Sequence, residues 1–167
     1  MKKNRAPARN AGIWLDQEDA YIIQVTEGEE PVIKRIRSGV ESRIRYKGES
    51  KDFARFGQAY LSDQEKKQRR QRNQKEQFFK DLIGEIRKDD YLYLFGPGKT
   101  KEGLNNAIEK EPDFKGKVVE IVPADRMTQN QLVAKTIGFF NGETFRAFKK
   151  RLHDLKKAEG SSTALAG

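Results

Sequence analysis

Several residue types that support common protein chemistries are missing or rare in this 167-residue sequence. It contains no cysteine and a single histidine, His153. Disulfides and thiolate metal sites are therefore excluded, and one imidazole argues against multi-histidine metal sites and histidine-based catalytic triads. We expect neither a bound metal nor a cofactor.

Long apolar runs are also missing. No segment approaches the 18 or more apolar residues that a membrane span needs, and the basic start MKKNRAPARNAG is not followed by the apolar core of a signal peptide. We expect a cytoplasmic protein with no membrane partner. Residues 1–10 are predicted to form a disordered basic arm, and residues 160–167 a disordered tail of small residues.

The charge balance is strongly basic. The chain has 34 lysines and arginines against 25 acidic residues, a formal net charge of +9. Such an excess favours a polyanionic partner such as a nucleic acid or the ribosome. The alternative is a basic protein that has no such partner.

One stretch, SDQEKKQRRQRNQKEQ (62–77), contains no apolar residue, yet it leads directly into the amphipathic FFKDLIGEIRK. Ser62 and Glu65 form a Ser-x-x-Glu capping box, which predicts a helix over residues 62–88. The second half of that helix can pack on a core and the first half cannot. We predict that the cations of the first half contact RNA: Lys66, Lys67, Arg69, Arg70, Arg72 and Lys75.

The preceding residues, 38–61, show no clean hydrophobic period and are predicted to form a mobile basic loop. Cations alternate there with aromatic residues, a combination suited to phosphate contact and base stacking. Alternatively, the aromatic side chains pack on the domain and order the loop. The predicted RNA-binding cations of the loop are Arg43, Arg45, Lys47 and Arg55.

The remaining segments predict the architecture. Three β-prone segments in residues 12–37 precede the long helix, a strand–helix–strand–helix unit follows it, and residues 143–159 form an amphipathic helix. This order predicts a mixed five-stranded sheet of the ribonuclease H-like type, with helices on its faces, spanning residues 11–142. The last helix is expected to dock on the domain itself, although a partner-binding role is the alternative.

The turn GPGKT (96–100) resembles a phosphate-binding loop but does not complete the motif. The required first glycine would fall at Tyr93, inside a predicted strand. Gly98 and Lys99 nevertheless precede a helix, so they are candidates for binding a single phosphate. The alternative is an ordinary tight turn.

Catalysis on this sheet would need clustered carboxylates. Asp16, Asp90 and Asp125 are the acids at strand ends, so a metal-dependent nuclease is an alternative function. Turn positions such as these are also common places for structural aspartates.

Residues 94–140 resemble a bacterial family described as translational machinery proteins. The resemblance covers roughly residues 12–141 and rests on three motifs: WLD (14–16) with Ala20, the GPG turn (96–98) with Lys101, and Asp125, Thr128 and QLVA (131–134). The last motif is the most specific of the three.

That family is similar to the central domain of the class-one release factor of archaea and eukaryotes, and of Pelota. The resemblance implies a ribonuclease H-like fold and a ribosome, rRNA or tRNA partner. In release factors a Gly-Gly-Gln triplet before the long helix promotes peptidyl-tRNA hydrolysis. Here the triplet is Phe56-Gly57-Gln58, so the first flexible glycine is absent. The sequence thus favours a non-catalytic, ribosome- or RNA-binding protein of the translation apparatus, of the tRNA-site, rescue or hibernation type. Peptidyl-tRNA hydrolysis through Gln58 is the enzymatic alternative.

Overall fold

The computed structural model describes residues 6–40 and 57–164, and the side chains of residues 57–61 and 162–164 are not described. The predicted loop cations Arg43, Arg45, Lys47 and Arg55 lie outside the described residues. None of the helices in the described part of the chain has the length and apolar character needed to cross a membrane.

The first three strands form an antiparallel meander. They are β1 (Arg9–Leu15), β2 (Asp19–Thr26) and β3 (Val32–Arg37). The β1–β2 turn is closed by Asp16, whose Oδ1 accepts hydrogen bonds from the backbone N–H groups of Glu18 and Asp19 at 2.8 and 2.7 Å. This is the local bonding for which aspartate is favoured in turns.

Two further strands, β4 (Tyr91–Gly96) and β5 (Val118–Pro123), run parallel to β1. The sheet order is β3-β2-β1-β4-β5. The predicted mixed sheet, with three antiparallel strands followed by parallel ones, is therefore confirmed.

In the described part of the chain, four α-helices cover the sheet. They are α1 (Gly57–Ile86), α2 (Thr100–Glu109), α3 (Gln129–Phe140) and α4 (Glu143–Ala164). The second half of α1 packs with α2 on one face of the sheet, through Phe78, Leu82, Ile86 and Leu104. On the other face α3 and the start of α4 pack around Trp14, Tyr93, Phe95, Leu132 and Phe145. The result is a three-layer α/β/α domain.

Several boundaries differ from the predictions. The long helix begins at Gly57 and ends at Ile86, so Ser62 lies inside it and is not a cap. The sequence predicts a loop over residues 57–61, and this prediction is wrong because these residues are helical. Gln, Ala and Leu in GQAYL are good helix formers. By contrast, the predicted box of Thr128 and Gln131 does cap α3, with hydrogen bonds of 3.3 and 2.9 Å.

Strand β1 begins earlier and helix α4 ends later than predicted. Arg9 and Asn10 belong to β1, where they pair with Thr26 and Val25 of β2. At the other end α4 continues to Ala164, five residues beyond the predicted end at residue 159. A single glycine such as Gly160 costs a helix only about 1 kcal/mol and does not have to end it.

Close backbone packing explains two of the glycines. A Cβ at Gly12 of β1 would lie 2.2 Å from Oγ1 of Thr136, so glycine lets α3 approach the sheet. Gly96 ends β4 with a φ of +150°, and a Cβ there would lie 2.2 Å from the carbonyl oxygen of Leu15. No other residue fits at either place without movement of its neighbours.

Candidate nucleic-acid interface

In the first half of α1, side chains are described from residue 62 onward, and none of those in residues 62–77 is buried. The first buried residues are Phe78 and Phe79, which are 2% and 8% exposed. We call residues 62–77 the basic half of α1. It adds no apolar surface to the core, in agreement with its composition.

Five of the six cations of this half have no carboxylate within salt-bridge distance among the described residues. Six cations face three acids, Asp63, Glu65 and Glu76, leaving an excess of three positive charges. Among residues 6–40 and 62–161, no carboxylate lies within salt-bridge distance of five of these cations: Lys66, Arg69, Arg70, Arg72 and Lys75. Those five side chains are exposed, whereas Lys67 is half-buried.

One surface of the basic half concentrates these groups. Lys66, Arg69, Arg70, Asn73 and Gln77 line a shallow groove together with Gln74. Because residues three, four, seven and eleven apart share a helix face, the groove runs along the helix. Its charged and amide donors can bind phosphate oxygens, and Arg can do so with two parallel hydrogen bonds. The prediction did not include Asn73 and Gln77, although their spacing from Lys66 and Arg70 could have indicated them.

The packed half of α1 holds the basic half in place. Thirty residues make a helix of about 45 Å. Lys75 lies over the Phe79 ring, with its Nζ 5.8 Å from the ring centre, at the point where packing begins. Lys34 of β3 forms an ion pair with Glu85 of α1, with Nζ and Oε1 2.5 Å apart, which joins the packed half to the sheet.

A buried carboxylate fixes the chain just after α1. Asp89 is fully buried; Nε of Arg9 donates to it at 2.5 Å, and Nε2 of Gln24 donates at 3.2 and 3.3 Å. Burial raises the pKa of the Asp89 carboxyl, and the hydrogen bonds from Arg9 and Gln24 oppose that rise. Asp89 thereby links the end of α1 to β1 and β2.

The turn that holds Gly98 and Lys99 is well defined. Gly98 has a left-handed φ of +61°, and Lys99 is an exposed residue at the start of α2 that makes no side-chain cap. The buried Lys101 donates its ammonium to the Gly98 carbonyl. Asp16 and Glu18 lie in the same depression as Lys99 and Arg126, so its charge is mixed. These contacts account for a structural turn, and phosphate binding by Gly98 and Lys99 stays a prediction.

The three strand-end aspartates are not brought together. Asp16 and Asp125 follow the carboxyl ends of β1 and β5, whereas Asp90 precedes β4, at the opposite end of the sheet. Asp16 closes its turn, and Asp90 accepts a 2.9 Å hydrogen bond from the backbone of Arg9. Within the described residues no group of three His, Cys, Asp or Glu side chains could hold a metal ion.

Gln58, the residue of the enzymatic alternative, falls in the first turn of α1. Its side chain is outside the described part of the structure. Its hydrolytic role therefore stays a prediction.

Comparison with known proteins gives distant structural similarities. No protein-family model matches the sequence, and no curated protein matches it. Among solved structures, the chain is similar to the archaeal translation termination factor aRF1 at 11% identity and a TM-score of 0.44, covering 95% of this chain and 42% of that one. The Pelota protein of Thermoplasma acidophilum gives 12% identity and a TM-score of 0.45, covering 96% and 44% of the two chains.

A third similarity is to Dom34 of S. cerevisiae, described as a translation termination-like factor involved in RNA quality control pathways and interacting with Hbs1. The identity is 14% and the TM-score 0.45, with 93% of this chain and 37% of that one covered. The chain thus spans less than half the length of each of these proteins.

Proposed function

We propose that this protein binds RNA through the basic half of α1, as a non-catalytic component of the translation apparatus. The proposal rests on five exposed cations of this helix half, none of which has a carboxylate within salt-bridge distance among the described residues. Arg43, Arg45, Lys47 and Arg55, which precede α1 in the chain, would add to the same positive charge.

A phosphate backbone fits this surface better than a protein partner does. Protein interfaces usually have an apolar core with few charges. The basic half of α1 offers no apolar side chain to such a core. A phosphate backbone needs only positive charge and hydrogen-bond donors, which Lys66, Arg69 and Arg70 supply.

The place in translation is the narrower part of the proposal. It is supported by the GPG turn and by the Asp125, Thr128 and QLVA motif, which resemble the translational machinery family. An rRNA or tRNA surface is then the expected partner, in the manner of a tRNA-site, rescue or hibernation factor.

Sedimentation with ribosomes tests this narrower part. Extracts of cells that express the full chain are run on sucrose gradients at stepped salt concentrations. We expect the protein to sediment with ribosomes or their subunits at about 100 mM salt and to dissociate as salt rises, because each phosphate contact releases counterions. If the protein stays at the top of the gradient at every salt concentration while ribosomes remain intact, the ribosomal assignment is wrong.

A further inference from the structure

A second basic surface lies on α4, on the other face of the sheet. Exposed cations outnumber acids on this helix by six to three, the acids being Glu143, Asp154 and Glu159. Among the described residues no carboxylate comes within salt-bridge distance of any of the six. They are Arg146, Lys149, Lys150, Arg151, Lys156 and Lys157.

The spacing of these cations produces a continuous face. Arg146, Lys150, His153 and Lys157 follow one another at intervals of four, three and four residues, so they share one side of the helix. We call this side the basic face of α4. Eleven residues separate its ends, a length of about 16 Å.

The opposite, apolar side of α4 is largely occupied by the domain. Phe145 and Phe148 contact Tyr91 of β4 edge-on, with ring centres 5.3 and 5.7 Å apart, and Phe145 also packs on Phe140 of α3. Among the described side chains of α4, Leu155 is the one large apolar residue that is exposed, at 62%. A membrane-surface helix needs an extended free apolar face, which α4 does not keep.

We propose that the basic face of α4 is a second RNA-binding surface, and that the protein bridges two phosphate backbones. The proposal extends the proposed function by adding a separate contact for the same class of ligand. The positive charge complements a phosphate backbone, and the occupied apolar side of α4 favours RNA over a lipid surface or an apolar protein groove.

The positions of the two helices support bridging. The second half of α1 packs on one sheet face and α4 begins on the other. α4 starts beside Tyr91, at the amino end of β4. Helix α1 leads by a short turn into the amino end of β4, so it runs back along the sheet toward the carboxyl end of β4. Phe79 already lies against Gly103 of α2, which follows that carboxyl end. The basic half, which precedes Phe79 in the chain, therefore extends past the carboxyl end of β4. One RNA backbone held on α1 therefore leaves the basic face of α4 free for another.

Two triple variants and a matched control test bridging. The α1 variant carries Arg69→Glu, Arg70→Glu and Arg72→Glu, and the α4 variant carries Arg146→Glu, Lys150→Glu and Lys157→Glu. The control carries Lys88→Glu, Lys110→Glu and Lys115→Glu, three exposed residues outside both surfaces. All three variants lower the net charge by six, and circular dichroism with thermal melting checks that each one folds.

The readout uses two single-stranded oligouridylates of about 15 nucleotides, one labelled with a donor fluorophore and the other with an acceptor. We expect wild-type protein and the control to bring donor and acceptor together. Each of the α1 and α4 variants should still bind one oligonucleotide but give at least tenfold less energy transfer.

The possible failures are distinguishable. If the α4 variant bridges as wild type does, the second surface is wrong and the contact on α1 stands. If the α1 variant binds and bridges the oligonucleotides as wild type does, while the α4 variant does not, the proposed function of the basic half of α1 is wrong. If α4 variants change binding to anionic phospholipid vesicles but not to RNA, the RNA proposal for α4 is overturned in favour of a lipid surface.

Discussion

At the scale of single residues, the fold depends on a few positions where size matters more than polarity. Gly12 lies in the central strand β1, and its missing side chain is replaced by the methyl and hydroxyl of Thr136 from α3. Thr136 is fully buried, and its hydroxyl donates to the carbonyl of Leu132 at 2.9 Å. α3 therefore sits close to the sheet through one small residue on each side.

We predict that Gly12→Ala destabilises the domain by about 1–3 kcal/mol or more, because its Cβ overlaps Thr136 and α3 must shift. Gly84→Ala is the matched control. It lies in α1 with nothing within 4 Å of an added Cβ, so the change should stabilise by about 0.5–1 kcal/mol. Urea denaturation measures both. Equal stability of Gly12→Ala and wild-type protein would show that α3 does not pack as described.

Residue patterns predicted some local features and missed others for identifiable reasons. The capping box at Thr128 and the one at Ser62 look equally good in sequence, yet only the first caps a helix. The difference is the preceding segment: β5 ends at Pro123 and residues 124–127 are not helical, whereas helix-forming residues precede Ser62. Gly12 gave no signal in the sequence, since its partner Thr136 is distant along the chain.

At the scale of elements, α1 has a packed half and an exposed half, and the junction with β4 fixes its direction. Asp89 is central to that junction, because its carboxylate joins Arg9 of β1 and Gln24 of β2 just beyond the end of the helix. The apolar stripe Phe78, Leu82, Ile86 predicted the packed half correctly. The buried charge at Asp89 was not predictable, because its partners come from the opposite end of the sequence.

The junction predicts a pH dependence. Since the pKa of Asp89 is raised in the fold above its ordinary value of 3.8, the folded state holds this proton more strongly than the unfolded chain does. That contribution to stability is complete below the unfolded pKa and is lost as pH rises through the folded pKa. Asp89→Asn cannot ionise and should not show the loss.

We therefore expect the free energy of unfolding of Asp89→Asn, minus that of wild type, to increase with pH from about 4 upward and then level off. Urea denaturation at a series of pH values gives this difference. The ion pair with Arg9 is already included in the raised folded pKa of Asp89, so its loss does not reverse the slope. A difference that falls with rising pH would contradict the burial of this carboxyl.

At the scale of the whole molecule, the net charge of +9 is distributed unevenly. Some cations serve the fold: Arg35 pairs with Asp19 at 2.9 Å, and Arg87 pairs with Glu111 and Asp113 at 3.3 and 2.7 Å. The basic half of α1 and helix α4 each carry three more cations than acids. Composition predicted a polyanionic partner for the chain. It could not show which cations form ion pairs within the fold, because those pairs join residues that are distant in sequence.

The most direct test of the central claim compares the salt dependence of RNA binding among three proteins. They are the wild type, the α1 variant (Arg69→Glu, Arg70→Glu and Arg72→Glu) and the control (Lys88→Glu, Lys110→Glu and Lys115→Glu). Affinity for a labelled single-stranded RNA is measured between about 50 and 200 mM salt. We predict that the α1 variant loses at least tenfold in affinity and shows a shallower slope, while the control, with the same net charge, stays close to wild type. If the two variants lose equal affinity, or the α1 variant keeps both affinity and slope, the basic half of α1 is not the RNA contact.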